Sequence, residues 1–497
     1  MSILDGSVPP VHRLSTELVE AIILCISQPI TNMITAQVCR YWREVTLNSP
    51  RLWTCIYVDG PLTDGSTHLV RAALARSKPL PIHITLTSRR QARSTEEVRL
   101  WDDIVEQASR WENARLLLPF ASAMKITAAH APLLRTLNIG VLESMQPPCT
   151  DSEEADEAAT DDEEEDIVGP EFCVNAPLLQ DATITGTLRP VQIGLPYAQL
   201  IHLNLQLGAY DDSLRDLISV LQPCAALKHL TVSMITCSGT DTEPFTLPSL
   251  EVLDVDNQAT ELCRDLTAPS LHKVVFRMEH VDLQDYQRYL EKELLALLRL
   301  ARRCGDQITS LTVRVESFQS ASSSDILDRV LRALPGITDL ETWEGLAQEG
   351  VYEHTLVIDG VLLRKYDPGD PFLPNLARLS MHTHLHQWFR DDMEEIKAMV
   401  DSRRQVGVLG RATLQRFELD QWGDLWPDDG WQCDFSSREE CERTYVDEHS
   451  AAFEWMLEMR KSGLDVQCNW LDKYLAFKSS PWTVQYAGSD GSERAAV

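Results

Sequence analysis

A chain of 497 residues with a net charge of −30 and a pI near 4.8 argues against a nucleic-acid or anionic-membrane surface, which requires clustered Lys and Arg. Its hydrophobic residues, 44% of the total, supply material for a large core, yet the longest apolar run, Ala21–Ile26, falls far short of a membrane span. Twelve cysteines without a C-x-x-C pair, and an N-terminus without a basic-then-apolar run, predict reduced thiols, no secretory signal and a cytoplasmic and/or nuclear location.

The first predicted element is a short helix. Ser15 is its candidate N-cap, Glu17 lies in the first turn where the helix dipole favours an anion, and Leu14, Leu18, Ile22 and Ile26 recur every four residues before Gln28-Pro29 ends the run. A second helix carries Val38, Tyr41, Trp42 and Val45 at i, i+3, i+4 and i+7, and Asn48-Ser49-Pro50 stops it. Two helices this small and apolar cannot cover each other, so part of their surface is expected to meet a partner. Further on, Ser66–Ser77 reads as an amphipathic helix and Leu80–Leu86 as a strand. Ser94 and Glu97 form a capping box for a helix with Val98, Trp101, Val105 and Ala108.

From there a strand pattern, L-x-x-L-x-apolar, recurs. Its copies begin at Leu134, Leu200, Leu227, Leu250, Leu271, Ile308, Leu376 and Leu414, with looser versions at Leu179 and Ile337. Six copies follow a proline by two residues: Pro132, Pro177, Pro248, Pro269, Pro335 and Pro374. Helices are predicted between copies: Leu214, Leu217, Ile218 and Leu221 behind Ser213; residues 286–303 with Tyr286, Leu290, Leu294, Leu297 and Leu298, ended by Arg302-Arg303 and Gly305; and Leu327, Val330, Leu331 and Leu334 behind Ser324. Residues 151–166 hold eleven acids and no base, so they read as a solvated, disordered insertion; Thr150 and Thr160 have Glu at +3, the spacing acidophilic kinases favour. Residues 435–478 read as mainly helical, with Phe453, Met456 and Leu457 on one side.

Three segments resemble a known family. Leu14 with Glu17-Leu18, then Val38-Cys39-Arg40 with Trp42-Arg43, then Ser49-Pro50 with Leu52-Trp53, resemble the F-box, with Ser15 where that family usually has proline. The resemblance implies binding to a Skp-type adaptor, and through it a cullin, by Leu14, Glu17, Leu18, Ile22, Ile23, Val38, Cys39, Trp42, Leu52 and Trp53. Strand-then-helix units at irregular intervals resemble a leucine-rich-repeat solenoid, although Leu142, Ile235 and Gln258 stand where the standard repeat has Asn. Buried strands of an ordinary parallel α/β sheet give the same pattern. The combination resembles the large fungal F-box families.

The expected fold is therefore α/β, an N-terminal helical F-box followed by an irregular leucine-rich-repeat-type solenoid. Its expected parts are the F-box (10–57), connecting units (58–130), the solenoid (131–425, with an acidic insertion at 150–168), a helical cap (426–485) and a disordered tail (486–497). In such a strand the leucines enter the core and the residues between them face out, which marks His202, His229, Asp254, Lys273, Arg314, Trp343, Arg378 and Arg416 as contacts for an unknown protein target. No catalytic motif is present, and no enzyme activity, cofactor, metal, nucleic-acid or membrane partner is expected. His382-x-His384-x-His386, with Asp391-Asp392 as the nearest acids, would suit a metal hydrolase but reads better as a polar loop edge. Cys433 and Cys441 read as ordinary thiols, and Trp422, Trp426 and Trp431 as packed. The function expected from the resemblance is target recognition for an SCF-type ubiquitin ligase; the alternative is an adaptor-bound scaffold outside a ligase.

Overall fold

Every copy of the L-x-x-L-x-apolar pattern forms a strand, and each strand begins at the third residue of the pattern. The computed structural model describes residues 14–26, 34–59, 64–77, 79–87, 95–119, 130–142, 175–186, 193–207, 214–234, 243–278, 286–315, 321–344, 372–384, 393–404, 414–422 and 449–479, with single positions at 361, 442, 446 and 447. The acidic run, the tail, the Ser94 and Ser213 caps, Trp426, Trp431, Cys433 and Cys441 lie outside the described residues. The chain is mixed α/β and divides into two units, Met1–Leu250 and Glu251–Val497.

The first unit opens with α1 (Thr16–Ile26), whose Leu18 amide donates to Ser15 Oγ at 3.4 Å. Hydrogen bonds from its own backbone and from Ser15 hold the Glu17 carboxyl below its ordinary value. The second helix, α2, spans Arg40–Asn48, so Val38 falls in the turn before it rather than on it. The reason is Cys39: its backbone is extended, and its sulfur takes the N-cap role by accepting from the Trp42 amide at 3.4 Å. Tyr41 Oη donates to the Leu14 carbonyl at 2.8 Å and ties the helices together.

Seven parallel strands follow in chain order: β1 (Cys55–Asp59), β2 (Ile82–Thr87), β3 (Trp111–Pro119), β4 (Thr136–Leu142), β5 (Asp181–Gly186), β6 (His202–Leu207) and β7 (His229–Met234). β1 runs across the expected boundary at residue 57, so the helix pair leads straight into the sheet. Register places Ile56, Ile84, Ala114, Leu137, Ala182, Leu203 and Leu230 in one row, and Val58, Leu86, Leu116, Ile139, Ile184, Leu205 and Val232 in the next. All are buried. The larger of these side chains each contribute about 1.5–3 kcal/mol relative to exposure. Helices α3 (Asp64–Arg76), α4 (Thr95–Val105) and α5 (Leu214–Leu221) lie between strands. Arg110 fastens the end of α3 to the start of β2, donating to the Leu74 and Leu80 carbonyls and to Ser77 Oγ.

The second unit repeats the arrangement with β8 (Val252–Asn257), β9 (Lys273–Met278), β10 (Ser310–Val315), β11 (Asp339–Glu344), β12 (Arg378–His384), β13 (Arg416–Trp422) and β14 (Asp465–Cys468), again parallel and in chain order. Its first inward row is Leu253, Val274, Leu311, Leu340, Leu379, Phe417 and Val466. The helices are α6 (Tyr286–Cys304), α7 (Ala321–Arg332, three residues earlier than Ser324 suggests), α8 (Met393–Arg404), α9 (Ser450–Lys461) and α10 (Asn469–Ser479).

The expected helical cap is corrected here: β14 lies between α9 and α10 and extends the sheet, Val466 and Cys468 continuing the two apolar rows. Gly463, with φ +92°, makes the reversal from α9 into β14, its neighbour Leu464 donating to the Met459 carbonyl.

The recurring prolines sit in turns ahead of the strands. Each occupies the second position of a turn closed by a hydrogen bond, for example Leu134 N to Ala131 O (3.1 Å), Leu271 N to Ala268 O (3.1 Å) and Leu376 N to Leu373 O (3.3 Å). Proline presets the backbone angle of that position. Leu200 and Leu227 close the same turn without it.

Candidate functional site

Two surfaces collect the candidate residues. On α1 only Val19 and Ile23 are buried. Leu18 is 55% exposed, and Ile22, Leu24 and Ile26 are exposed with it; in the short segment ahead of α2, Ile34 and Val38 are each 59% exposed. Six large apolar side chains in so short a segment is the feature the sequence predicted for Leu18, Ile22 and Val38, and the structure adds Leu24, Ile26 and Ile34. An exposed apolar cluster of this kind marks an interaction surface.

Three of the expected contacts lie inside the module. Ile23, Leu52 and Trp53 are all buried, at 2% exposure or less, and hold the module together instead of offering surface. Trp53 donates its indole N–H to the Thr46 carbonyl at 2.7 Å and carries the Arg76 guanidinium over its ring at 4.6 Å. Leu14 is half-buried, Glu17 is exposed and Cys39 serves as the cap described above. Trp42 is half-buried, and its indole nitrogen is enclosed without a hydrogen-bond partner.

The second surface is the outward face of the sheets. In the first unit His202 accompanies Asp181 as a hydrogen-bonded pair, and the His202 and His229 rings meet edge to face at 4.6 Å. The next outward row runs Thr85, Arg115, Asn138, Thr183, Asn204 and Thr231, with Arg115 its one charged member.

The second unit presents more charge. One outward row runs Lys273, Ser310, Asp339, Arg378, Arg416 and Asp465; the next runs Asp254, Val275, Thr312, Glu341, Ser380, Glu418 and Gln467; the third runs Asp256, Arg277, Arg314, Trp343, His382 and Asp420. Arg277 pairs with Asp254, Arg314 with Glu341 (3.5 Å) and Arg378 with Asp339 across strands, and Arg416 pairs with Glu418 (3.0 Å) along β13. Planar groups stack along the third row because in-register strands repeat at about 4.8 Å. Arg314 lies over the Trp343 ring at 4.6 Å, and Trp343 stacks on His382 at 3.7 Å.

Electrostatics follow from this packing. Burial pushes the Asp254 carboxyl up, against the opposing pull of Arg277. Burial also acts to raise Glu341, but hydrogen bonds from Trp343 and Thr312, with the charges of Arg314 and His382, outweigh it and hold the carboxyl below its ordinary value. Sequence reasoning found Asp254, Lys273, Arg314, Trp343, Arg378 and Arg416, and the structure places them on one face. It left His382 and Asp420 out of that face, although the two-residue alternation from Arg378 and Arg416 reaches both.

His382 belongs to this row. Its Nδ1 lies 3.3 Å from Asp420 and its Nε2 3.8 Å from Glu341. The side chain of His384, and His386 altogether, lie outside the described residues, as do Asp391 and Asp392. Among the described residues no group of three or more His, Cys, Asp or Glu is arranged to hold a metal ion, and no helix is long and apolar enough to cross a membrane. Compared with models of known protein families and with curated protein sequences, the chain matches none.

Proposed function

We propose that this chain is the target-recognition subunit of an SCF-type ubiquitin ligase, its N-terminal helix pair acting as an F-box on a Skp-type adaptor and the sheet faces holding a target protein. The observation that carries the reading is the set of exposed apolar side chains, Leu18, Ile22 and Ile26 along one side of α1 with Ile34 and Val38 ahead of α2, on a segment whose ordered motifs resemble that family. The finer fold reading, a divergent leucine-rich-repeat solenoid, draws support from strands that stay in chain order within each unit with no reversal. Mechanism is then positional. The adaptor and cullin hold the chain, the face around Asp254, Arg314, Trp343 and Arg416 holds the target, and proximity to a loaded conjugating enzyme raises effective concentration.

The test is adaptor capture. Leu18→Asp with Val38→Asp leaves the buried residues Val19 and Ile23 in place, so the melting transition is expected to stay within a few degrees of wild type. Each side chain, buried on docking, is worth about 1.5–3 kcal/mol. Capture of a Skp-type adaptor is therefore expected to weaken by about a hundredfold or more. Wild-type capture by the folded double variant would show that the helix pair does not dock this way.

A further inference from the structure

α6 carries one residue that its amphipathic pattern does not explain. Its inward stripe is Leu290, Leu294, Leu297, Leu298 and Ala301, all buried. Glu293 lies on that stripe, three residues after Leu290 and four before Leu297. It is 1% exposed, and neither carboxyl oxygen has a hydrogen-bond partner. α6 packs here against the 3₁₀ segment Gln258–Arg264, which brings in a second buried acid, Glu261. Glu261 pairs with Lys292 at 2.9 Å and Arg264 at 3.6 Å, and Arg264 also pairs with Asp265 at 2.9 Å. Arg303 donates to the Cys263 and Leu266 carbonyls, and on α7 Arg332 pairs with Asp328. The thiols of Cys263 and Cys304 are buried in the same seam.

We propose that the seam between α6 and residues 258–264 is an acid-closed latch, shut while Glu293 carries a proton and loosened when it ionises beside Glu261. A buried carboxyl without partners tolerates the interior only in its neutral form. Burial first, and the Glu261 charge second, hold the Glu293 carboxyl well above its ordinary value, with Lys292 opposing. The sign follows. Between the ordinary value near 4.5 and the raised folded value, the closed form keeps a proton that the open form releases. Closure is therefore strongest in acid and weakens as pH rises through that window, levelling off above it.

Opening exposes Cys263 and Cys304, so their alkylation by iodoacetamide, followed peptide by peptide in the full chain, reads the latch. Wild type is compared with Glu293→Gln at each pH from 5 to 9, which cancels the intrinsic pH dependence of thiol chemistry. The wild-type to Glu293→Gln rate ratio is expected to climb by about tenfold per pH unit inside the window and then flatten. Glu293→Met, which removes the carboxyl altogether, is expected to match Glu293→Gln. Glu261→Gln removes a charge that helps keep the proton on Glu293, so the climb is expected to flatten at lower pH and at a smaller height. A ratio that stays flat from pH 5 to 9 against both Glu293 variants would overturn the latch.

Discussion

Leu379→Asp is expected to abolish the cooperative melt of the second unit. Leu379 is buried in β12 and lies in register between Leu340 and Phe417, with no polar group in its row to receive a carboxylate. An unpaired charge in such a place costs several kcal/mol, a large part of the 5–15 kcal/mol, roughly, that keeps a domain folded. Arg314→Glu with Arg378→Glu and Arg416→Glu, on two rows of the outward face, is the contrasting experiment. Each arginine is at least a third exposed and lies beside an acid, so the triple reversal turns three attractions into repulsions. Solvent screening keeps each small, and a fall of a few degrees that shrinks in high salt is expected. Under the proposed function the triple variant also loses its target while still capturing the adaptor. Circular dichroism melts of the two proteins decide the matter: a triple variant as unstable as Leu379→Asp would place those arginines inside and shift the strand register by one.

Gly305→Ala should be the most damaging single-methyl change in the second unit. A β-carbon at Gly305 would stand 2.1 Å from the Ala333 carbonyl oxygen and 2.2 Å from that of Ala301, both backbone atoms. Neither can rotate away, so the ends of α6 and α7 must separate, at a cost of about 3 kcal/mol or more. Gly140→Ala is the useful partner. Its new methyl would approach Leu117 Cδ1 and Thr185 Oγ1, the ends of side chains that can turn aside, and about 1 kcal/mol is expected. Urea midpoints measure both. Equal losses would mean that the α6–α7 approach yields as easily as a rotamer.

Much of this molecule was legible because strand burial follows a local rule. Apolar residues at every second position force a strand to turn one edge inward, and ten copies of one pattern therefore gave ten strands and the register of their faces. α6 was legible for the same reason at a longer period. β1, β3 and β14 were not. Cys55–Asp59 and Asp465–Cys468 are too short for alternation to stand out, and Trp111–Pro119 has no leading L-x-x-L; neighbouring strands supply the pairing that fixes all three. The N-terminal helices make the division plainest. Their sequence determined a helix pair with more apolar surface than it can bury, and the resemblance that goes with it. Only tertiary packing decided which apolar residues stay outside: Ile23, Leu52 and Trp53 are taken into the core while Leu18, Ile22 and Val38 are left in solvent. Glu293 is the same case in reverse, an acid whose helix position is local but whose surroundings depend on a segment thirty residues earlier, where Glu261 pairs with Lys292 and Arg264. Periodicity is a property of the chain, whereas burial and charge pairing belong to whatever the chain is folded against.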